Sequence, residues 1–246
     1  MTEPASPSPQ AMGLFARALG VITSPRATFE NVVAVPRPFG ILFVCALLIG
    51  IGASIPQFTE EARKQTLEAQ IRGMERWGVT VTPEMYQKFE ESSRNPVNKV
   101  FGALAPLVAF PILALLLTSV FWAFFNAILG GTATFKQVLA VTAHSYVITA
   151  LGILLSVPIQ LYRFTMALGG PFNLGALVPM MDESSPIVRF LSSVSVFSLW
   201  GWIVVAIGLA VLYRRNSRNI AIVLVILSLV FSYVMSAIFG AFSGGS

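Results

Sequence analysis

The only histidine in the chain, His144, lies in an apolar run directly before Ser145. A histidine that takes the proton of a serine hydroxyl is the working pair of nucleophilic hydrolases, and an acid usually orients the histidine. The apolar runs hold no aspartate or glutamate at mid-depth that could fill this role, and adjacent residues of a helix point in different directions. We therefore predict no catalytic residue. An intramembrane hydrolase, one of the three functions considered for this chain, would lack the acid that orients its histidine.

Small polar residues mark one face of the helix that carries His144. They follow one another at spacings of three, four, three and four, which places Thr142, Ser145, Thr149, Gly152 and Ser156 on one side of an α-helix. One interpretation is a polar pathway for a small solute, and the other is a face for close helix packing. The candidate residues of this pathway or packing face are Thr142, His144, Ser145, Thr149, Ser156 and, on the preceding apolar run, Asn126.

Metal and cofactor sites are not expected. Cys45 is the single cysteine and His144 is the single histidine, so the usual nitrogen and sulfur ligands of a transition metal cannot cluster. Seven glutamates lie between residues 60 and 91, but no histidine or aspartate joins them, and lysines and arginines are interspersed. We interpret this segment as a solvated helical hairpin.

The composition indicates a membrane protein. Of the 246 residues, 55% are hydrophobic and 11% are charged, whereas soluble domains carry about 25% charged residues. Apolar runs long enough to cross the hydrocarbon layer as helices recur along the chain, and the alternating strands of a β-barrel are not seen. The predicted fold is an all-α, polytopic membrane helix bundle with five transmembrane helices, at about 39–56, 100–129, 138–161, 187–212 and 220–242.

Prolines and small residues predict how two of these spans end and pack. Pro106 and Pro111 are expected to kink the second span or to end a first segment of it. Ala46, Gly50 and Ser54 fall four residues apart on the first span. Such a strip of small residues allows another helix to approach closely.

Residues 1–37 are predicted to form a cytoplasmic tail followed by interfacial helices, ahead of a membrane domain at 38–242. Within 11–23, apolar residues recur at helical spacing with Arg17 to one side, which is the pattern of a helix lying on the membrane surface. Ser24-Pro25 begins a second short helix, because serine caps free N–H groups and proline fits the first helical position. Residues 57–98 are predicted to form an amphipathic helical hairpin on the non-cytoplasmic side.

Basic residues in the loops set the predicted orientation. Without 57–98, seven lysines and arginines lie on the side of the N-terminus and two on the opposite side; with that segment included, the bias disappears. We predict an integral protein of the bacterial inner membrane with its N-terminus in the cytoplasm and its C-terminus outside. The basic turn formed by Arg214, Arg215 and Arg218 either contacts anionic lipid headgroups or only fixes the topology.

Four stretches of the sequence resemble the Yip family of five-span membrane proteins, first known as Rab-interacting factors in eukaryotic secretion. They are Ser24-Pro25 with Thr28-Phe29, NAILGGTATFKQVLAVTAHS at 126–145, Asn173-Leu174-Gly175, and VFSLWGWIVVAIGLAV at 196–211. The resemblance covers about residues 14–240 and is to the bacterial type of member. It implies five spans with a cytoplasmic N-terminus.

The chain departs from the eukaryotic pattern at its N-terminus. It has no long cytosolic region and no DLYGP-like segment before the membrane, so Rab binding and vesicle budding do not carry over. For bacterial members the resemblance implies a fold with no established activity, and no functional residues come with it.

These observations together predict a non-enzymatic integral membrane protein that organises membrane or partner proteins through its packed helices and its cytoplasmic surface helix. Its expected partners are membrane lipids and either another protein or a second copy of the chain, bound through small-residue helix faces. Nucleic acid is not expected as a partner, because the basic residues behind the net charge of +5 lie beside the apolar runs and are explained by membrane orientation. No cofactor is expected either. The alternative is a transporter or channel subunit for a small solute.

Overall fold

The computed structural model describes residues 12–61, 63–64, 67–68, 71, 74, 80–163, 171–178, 180–181 and 186–241. Short turns, 3₁₀ segments at Ile55–Phe58 and Leu174–Leu177, and a π-helical turn at Phe124–Ile128 connect or extend its α-helices. The α-helices named here are α1 Leu14–Thr23, α2 Pro25–Ala34, α3 Pro38–Ser54, α4 Pro83–Arg94, α5 Pro96–Ala123, α6 Phe135–Arg163, α7 Pro186–Ser193, α8 Val196–Tyr213 and α9 Ser217–Ala241.

Four helices in the described residues are long and apolar enough to cross a membrane: α5 with its π-helical turn, α6, α8 and α9. These correspond to the predicted second to fifth spans. The predicted first span is α3, which is apolar but only 17 residues long, slightly shorter than the roughly 20 residues that a spanning helix needs. The all-α fold is therefore confirmed, while the count of five spans stays a prediction.

The chain divides into two compact units. The first consists of Met1–Cys45, Pro111–Ile148 and Gly201–Leu224, as far as these residues are described. Its core is built on Phe29 of α2, which is fully buried. A β-carbon added to Gly208 of α8 would lie 3.0 Å from Phe29 Cε1 and 2.5 Å from Val141 Cγ1 of α6. Glycine at this position therefore leaves the space that both side chains occupy.

The second unit consists of Ala46–Phe110, Thr149–Trp200 and Val225–Ser246, again within the described residues. The predicted strip of small residues on α3 packs here. Leu107 of α5 lies directly against Gly50, and the Ser54 hydroxyl donates a hydrogen bond of 2.8 Å to the carbonyl oxygen of Ala103. The prediction of close helix approach at this strip is confirmed.

The structure differs from the predicted spans in two details. Pro106 and Pro111 do not end a first segment, because α5 continues through both. The predicted fourth span is interrupted between α7 and α8, where the backbone pairs with a loop instead of continuing the helix. Leu174 N–H donates to Val194 O at 2.9 Å, and Val196 N–H donates to Phe172 O at 3.0 Å.

The predicted hairpin at 57–98 is only partly visible. Its second helix is α4, which begins at the predicted Thr82 cap, since the Thr82 hydroxyl accepts from Met85 N–H at 3.3 Å. Described residues between 60 and 74 are helical as well. The remainder of the predicted first helix lies outside the described residues, as does the tail at 1–11.

Candidate functional site

A tight pair of short helices positions the polar residues at the start of the chain. The Thr28 hydroxyl donates to Ser24 O at 2.9 Å, and the Thr28 side chain lies directly against Gly20 of α1. This contact requires a glycine, since a β-carbon there would overlap the Thr28 hydroxyl. The pair therefore holds the inner faces of α1 and α2 together.

Arg17 lies on that inner face rather than at the side of a surface helix. Its side chain is 2% exposed, whereas Phe15 is 74% exposed. The terminal nitrogens donate to Val35 O and to Asn31 Oδ1, each at 3.0 Å. The Nε atom is enclosed and has no hydrogen-bond partner among the described residues. Burial, and after it the charge of Arg37, lower the pKa of Arg17 from its ordinary value.

The position expected for Arg17 is thus wrong, for a reason that depends on packing. α1 turns its apolar residues Leu14, Phe15 and Leu19 outward and packs the face with Arg17 and Val21 inward. Sequence reasoning missed this site. The available signal was Val21, an apolar residue one turn after Arg17, which indicates that this face is covered by protein.

His144 is also buried in the first unit, at 1% exposure. Its Nδ1 lies 2.7 Å from Ala140 O, and because a carbonyl oxygen only accepts, the proton must be on Nδ1. His144 is therefore held by its own helix.

The predicted hydroxyls of the first unit are satisfied by their own helices. Thr142 donates to Val138 O at 3.1 Å, and Ser145 donates to Val141 O at 2.9 Å. Thr118 of α5 donates in the same way to Ala114 O at 2.7 Å. A serine whose proton goes to the backbone is not poised to give it to a histidine, so neither Thr142 nor Ser145 is placed as a nucleophile for His144.

Thr149 and Ser156 belong to the second unit, where both are half-buried. Between them in sequence, Gly152 packs directly against a neighbouring helix, since an added β-carbon would lie 2.7 Å from Phe197 Cγ of α8. Gly152 is therefore a position of close helix packing on α6.

Asn126 lies at the turn between α5 and α6 and does not join the hydroxyl face. It occupies the π-helical turn, and its Nδ2 donates to Ala133 O at 2.7 Å, as does Trp122 Nε1 at 3.1 Å. Asn126 Oδ1 and the Tyr213 hydroxyl are enclosed without a hydrogen-bond partner in the part of the chain that the structure describes. The bonds from Asn126 and Trp122 to Ala133 O hold the turn that contains Gly130 and Gly131.

The basic turn after α8 reaches the same loop. Arg215 Nη2 donates to Leu129 O at 3.0 Å, and Asn216 Oδ1 accepts from Arg218 N–H at 2.9 Å. Arg214 adopts a left-handed conformation with φ of 52°. All three arginines remain exposed, so their charged groups face outward from the first unit.

The described glutamates of the hairpin do not assemble into a metal site. Among the described residues, no group of three or more histidines, cysteines, aspartates or glutamates lies close enough to hold an ion. Instead, Arg63 pairs with Glu60 and donates to Ser93 Oγ of α4 at 2.9 Å. The hydrogen bond from Arg63 lowers the pKa of the Glu60 carboxyl.

Comparisons with known proteins agree on the class of protein. A family model described as the Yip1 domain matches residues 19–239. Membrane protein YknW of Bacillus subtilis (strain 168) is 23% identical over 190 residues, which cover 77% of this chain and 75% of YknW. No solved structure matches the chain.

Proposed function

Since this integral membrane protein belongs to the Yip1 domain family, we propose that it is a non-enzymatic protein that organises membrane or partner proteins at the cytoplasmic face of a bacterial inner membrane. In this proposal α3 is the first of five spans, the N-terminus is cytoplasmic and the C-terminus lies outside. Residues 57–98 then form a hairpin on the outer side. The partner is another protein or a second copy of the chain.

The observation that carries the proposal is the docking of α1 and α2 on the membrane helices of the first unit. Phe29 anchors the pair against Gly208 of α8, and Gln137 of α6 donates to Val33 O of α2 at 3.5 Å. The outer faces keep Phe15, Arg26 and Glu30 exposed. A surface fixed in this way is pre-organised for binding, which reduces the entropy lost on association.

The hydroxyls that would line a solute pathway support the same proposal. Thr118, Thr142 and Ser145 are bonded to their own helices, and Gly152 is filled by Phe197. Buried polar groups that are already satisfied offer little to a passing solute. The transporter alternative draws no specific support from these contacts.

Photo-crosslinking in cells tests the proposal directly. A benzophenone amino acid is placed at Phe15 and at Glu30 on the exposed faces, with Phe101 of α5, which is 69% exposed, as a control. We expect a discrete protein adduct from one or both positions on α1 and α2 and none from position 101. Adducts that do not differ between these positions would contradict an organising surface on α1 and α2.

Reconstitution separates this function from transport. Proteoliposomes containing the wild-type chain, Thr149→Leu or His144→Ala are compared for flux of ions and small solutes. We expect all three to match protein-free vesicles. Flux through the wild type that both substitutions reduce would replace the proposal with a transporter whose pathway follows α6.

A further inference from the structure

The net positive charge of the chain belongs to one of its two compact units. The first unit holds seven of the 16 lysines and arginines and two of the 11 acidic residues, whereas the second unit holds nine of each. The net charge of +5 is therefore that of the first unit alone. Among the described residues of this unit, Glu30 is the single acidic one, and it already pairs with Arg26. Such an imbalance favours an anionic partner.

Four of these seven basic residues lie at two turns of the first unit that contact each other. Arg215 Nη2 of the α8–α9 turn donates to Leu129 O of the α5–α6 turn at 3.0 Å. A β-carbon added to Gly131 would lie 2.6 Å from Tyr213 Cε1, so the two turns also pack closely. The four residues are exposed, and we call them the basic surface: Lys136, Arg214, Arg215 and Arg218.

The basic surface lies close to the ends of apolar helices. Only residues 214–216 separate the end of α8 from the start of α9, so these arginines cannot extend far from the helix ends. Trp122 marks the same end of the unit, because its Nε1 donates to Ala133 O while its ring is 40% exposed and lies 6.4 Å from the ring of Phe135. Tryptophans with a bonded N–H and an exposed ring are typical of the membrane interface.

We propose that the basic surface binds the headgroup of an anionic phospholipid, whose acyl chains lie beside Trp122. Phosphate groups are the anions found at the level of helix ends in a bilayer, and basic residues next to apolar helices attract them. The described ion pairs involve none of the four basic residues, so their charges are available to a lipid. This inference goes beyond the proposed function, because it requires no protein at α1 and α2.

Fluorescence quenching of Trp122 by brominated lipids tests the proposal at the basic surface itself. The chain has four tryptophans, and the other three are replaced in Trp77→Phe, Trp200→Phe and Trp202→Phe. This chain is reconstituted into vesicles of phosphatidylcholine and phosphatidylglycerol, with bromine on the acyl chains of one lipid at a time. We expect brominated phosphatidylglycerol to quench more than its share of the vesicle accounts for, because the basic surface concentrates it beside Trp122.

Single substitutions separate lipid binding from a role in topology alone. Lys136→Gln and Arg218→Gln should each lower the relative affinity for phosphatidylglycerol about fivefold, the effect of one basic residue near an anionic surface. Arg218→Lys keeps the charge and should keep the preference. Arg94→Gln removes the same charge from an exposed arginine of the second unit, so it should behave like the parent chain. Arg215 is left intact, because it also holds Leu129 O.

Three results would each overturn the proposal. They are equal quenching by the two brominated lipids in the parent chain, an unchanged preference in both Lys136→Gln and Arg218→Gln, and an equal loss in Arg94→Gln. The first of these would assign the basic surface to an acidic protein segment instead of a lipid.

A second measurement keeps the test independent of the tryptophan substitutions. If the chain with Trp122 alone does not fold, native mass spectrometry of the unmodified chain, titrated with the two lipids, makes the same comparison with the same variants. Crosslinking at α1 and α2 tests the organising function separately, so either proposal can fail without the other.

Discussion

Phe29 shows how a single side chain fixes the place of a surface helix. It is fully buried and fits against Gly208 of α8, where a β-carbon would lie 3.0 Å from its ring. Burial of an aromatic ring removes a large apolar area from water. The second short helix is therefore anchored by packing to α8 of its unit.

Gly208 should not tolerate even one additional carbon. Gly208→Ala would place the new atom 2.5 Å from Val141 Cγ1 and 3.0 Å from Phe29 Cε1, and overpacking of this kind costs about 1–3 kcal/mol. The free energy of unfolding can be followed with a thiol-reactive dye, because Cys45 is the single cysteine and is 1% exposed.

Gly201 on the same helix is the matched control. A β-carbon there meets nothing within 4 Å, so Gly201→Ala should be neutral or stabilise the helix by up to about 1 kcal/mol. Equal melting temperatures for the two variants would show that Gly208 is not a packing position.

The Glu60 carboxylate should make the stability of the predicted hairpin at 57–98 dependent on pH. The Arg63 hydrogen bond lowers the pKa of Glu60. The stabilisation is therefore present above the ordinary glutamate pKa of about 4.3 and is lost as the pH falls through the lower folded value. Hydrogen exchange of α4, measured from neutral pH downward, should lose protection in this range.

Glu60→Gln isolates this part of the pH dependence. The variant should exchange faster than the wild type at neutral pH, and the two should converge in acid. Glu61→Gln, the same change at the next residue, should behave like the wild type. Identical exchange in Glu60→Gln and the wild type at neutral pH would show that the ion pair does not hold the hairpin.

At the scale of elements, hydrogen bonds between residues close in sequence set the start of α6 and the turn before it. Thr134 and Gln137 bond reciprocally, with Gln137 Oε1 accepting from Thr134 N–H at 2.9 Å and Thr134 Oγ1 accepting from Gln137 N–H at 3.3 Å. This capping box starts α6 at Phe135, three residues before the predicted start at 138. Gly130, with φ of 69°, makes the preceding turn.

The break between α7 and α8 is stabilised by the loop at 171–178. Asn173 begins the 3₁₀ turn, since its Oδ1 accepts from Ala176 N–H at 3.0 Å. Asn173→Ala removes this cap at a cost of about 1 kcal/mol. We expect faster hydrogen exchange at both 171–178 and 194–196, because Leu174 N–H donates to Val194 O across the break.

Leu177→Ala provides the control for this element. Leu177 lies in the same 3₁₀ turn but is 75% exposed, so its truncation should leave exchange unchanged. A response to Asn173→Ala that is confined to the loop would indicate that the break does not depend on it.

At the scale of the whole molecule, the number of spans decides which side of the membrane each terminus occupies. If α3 crosses the membrane, five spans place the termini on opposite sides; if it does not, the four long helices place them on the same side. We expect α3 to cross, because its 17 residues are apolar and slight thinning of the bilayer accommodates a short helix.

Reporter fusions measure this directly. Alkaline phosphatase fused after Ser246 or after Arg94 should be active, and green fluorescent protein at the same positions should be dark. The opposite pair of results at Arg94 would show that α3 does not cross and that residues 57–98 are cytoplasmic. A fluorescent C-terminal fusion would likewise contradict the predicted orientation.

Features that depend on composition and on near neighbours in the chain could be predicted from the residues alone. The all-α membrane class follows from long apolar runs. The Ser24-Pro25 helix start and the packing strip at Gly50 and Ser54 follow from local chemistry and helical spacing. The family resemblance, too, rests on contiguous stretches of residues, and the Yip1 domain match over 19–239 agrees with it.

Features that depend on residues far apart in the chain emerged only from the packing of the folded protein. Arg17 is buried because α1 packs the face with Arg17 and Val21 inward. The predicted fourth span breaks because its backbone groups find partners in the loop at 171–178. Asn126 fastens a turn instead of lining the hydroxyl face. A hydrophobic pattern states which residues avoid water, but the neighbour that covers each face is chosen by the packing of the whole chain.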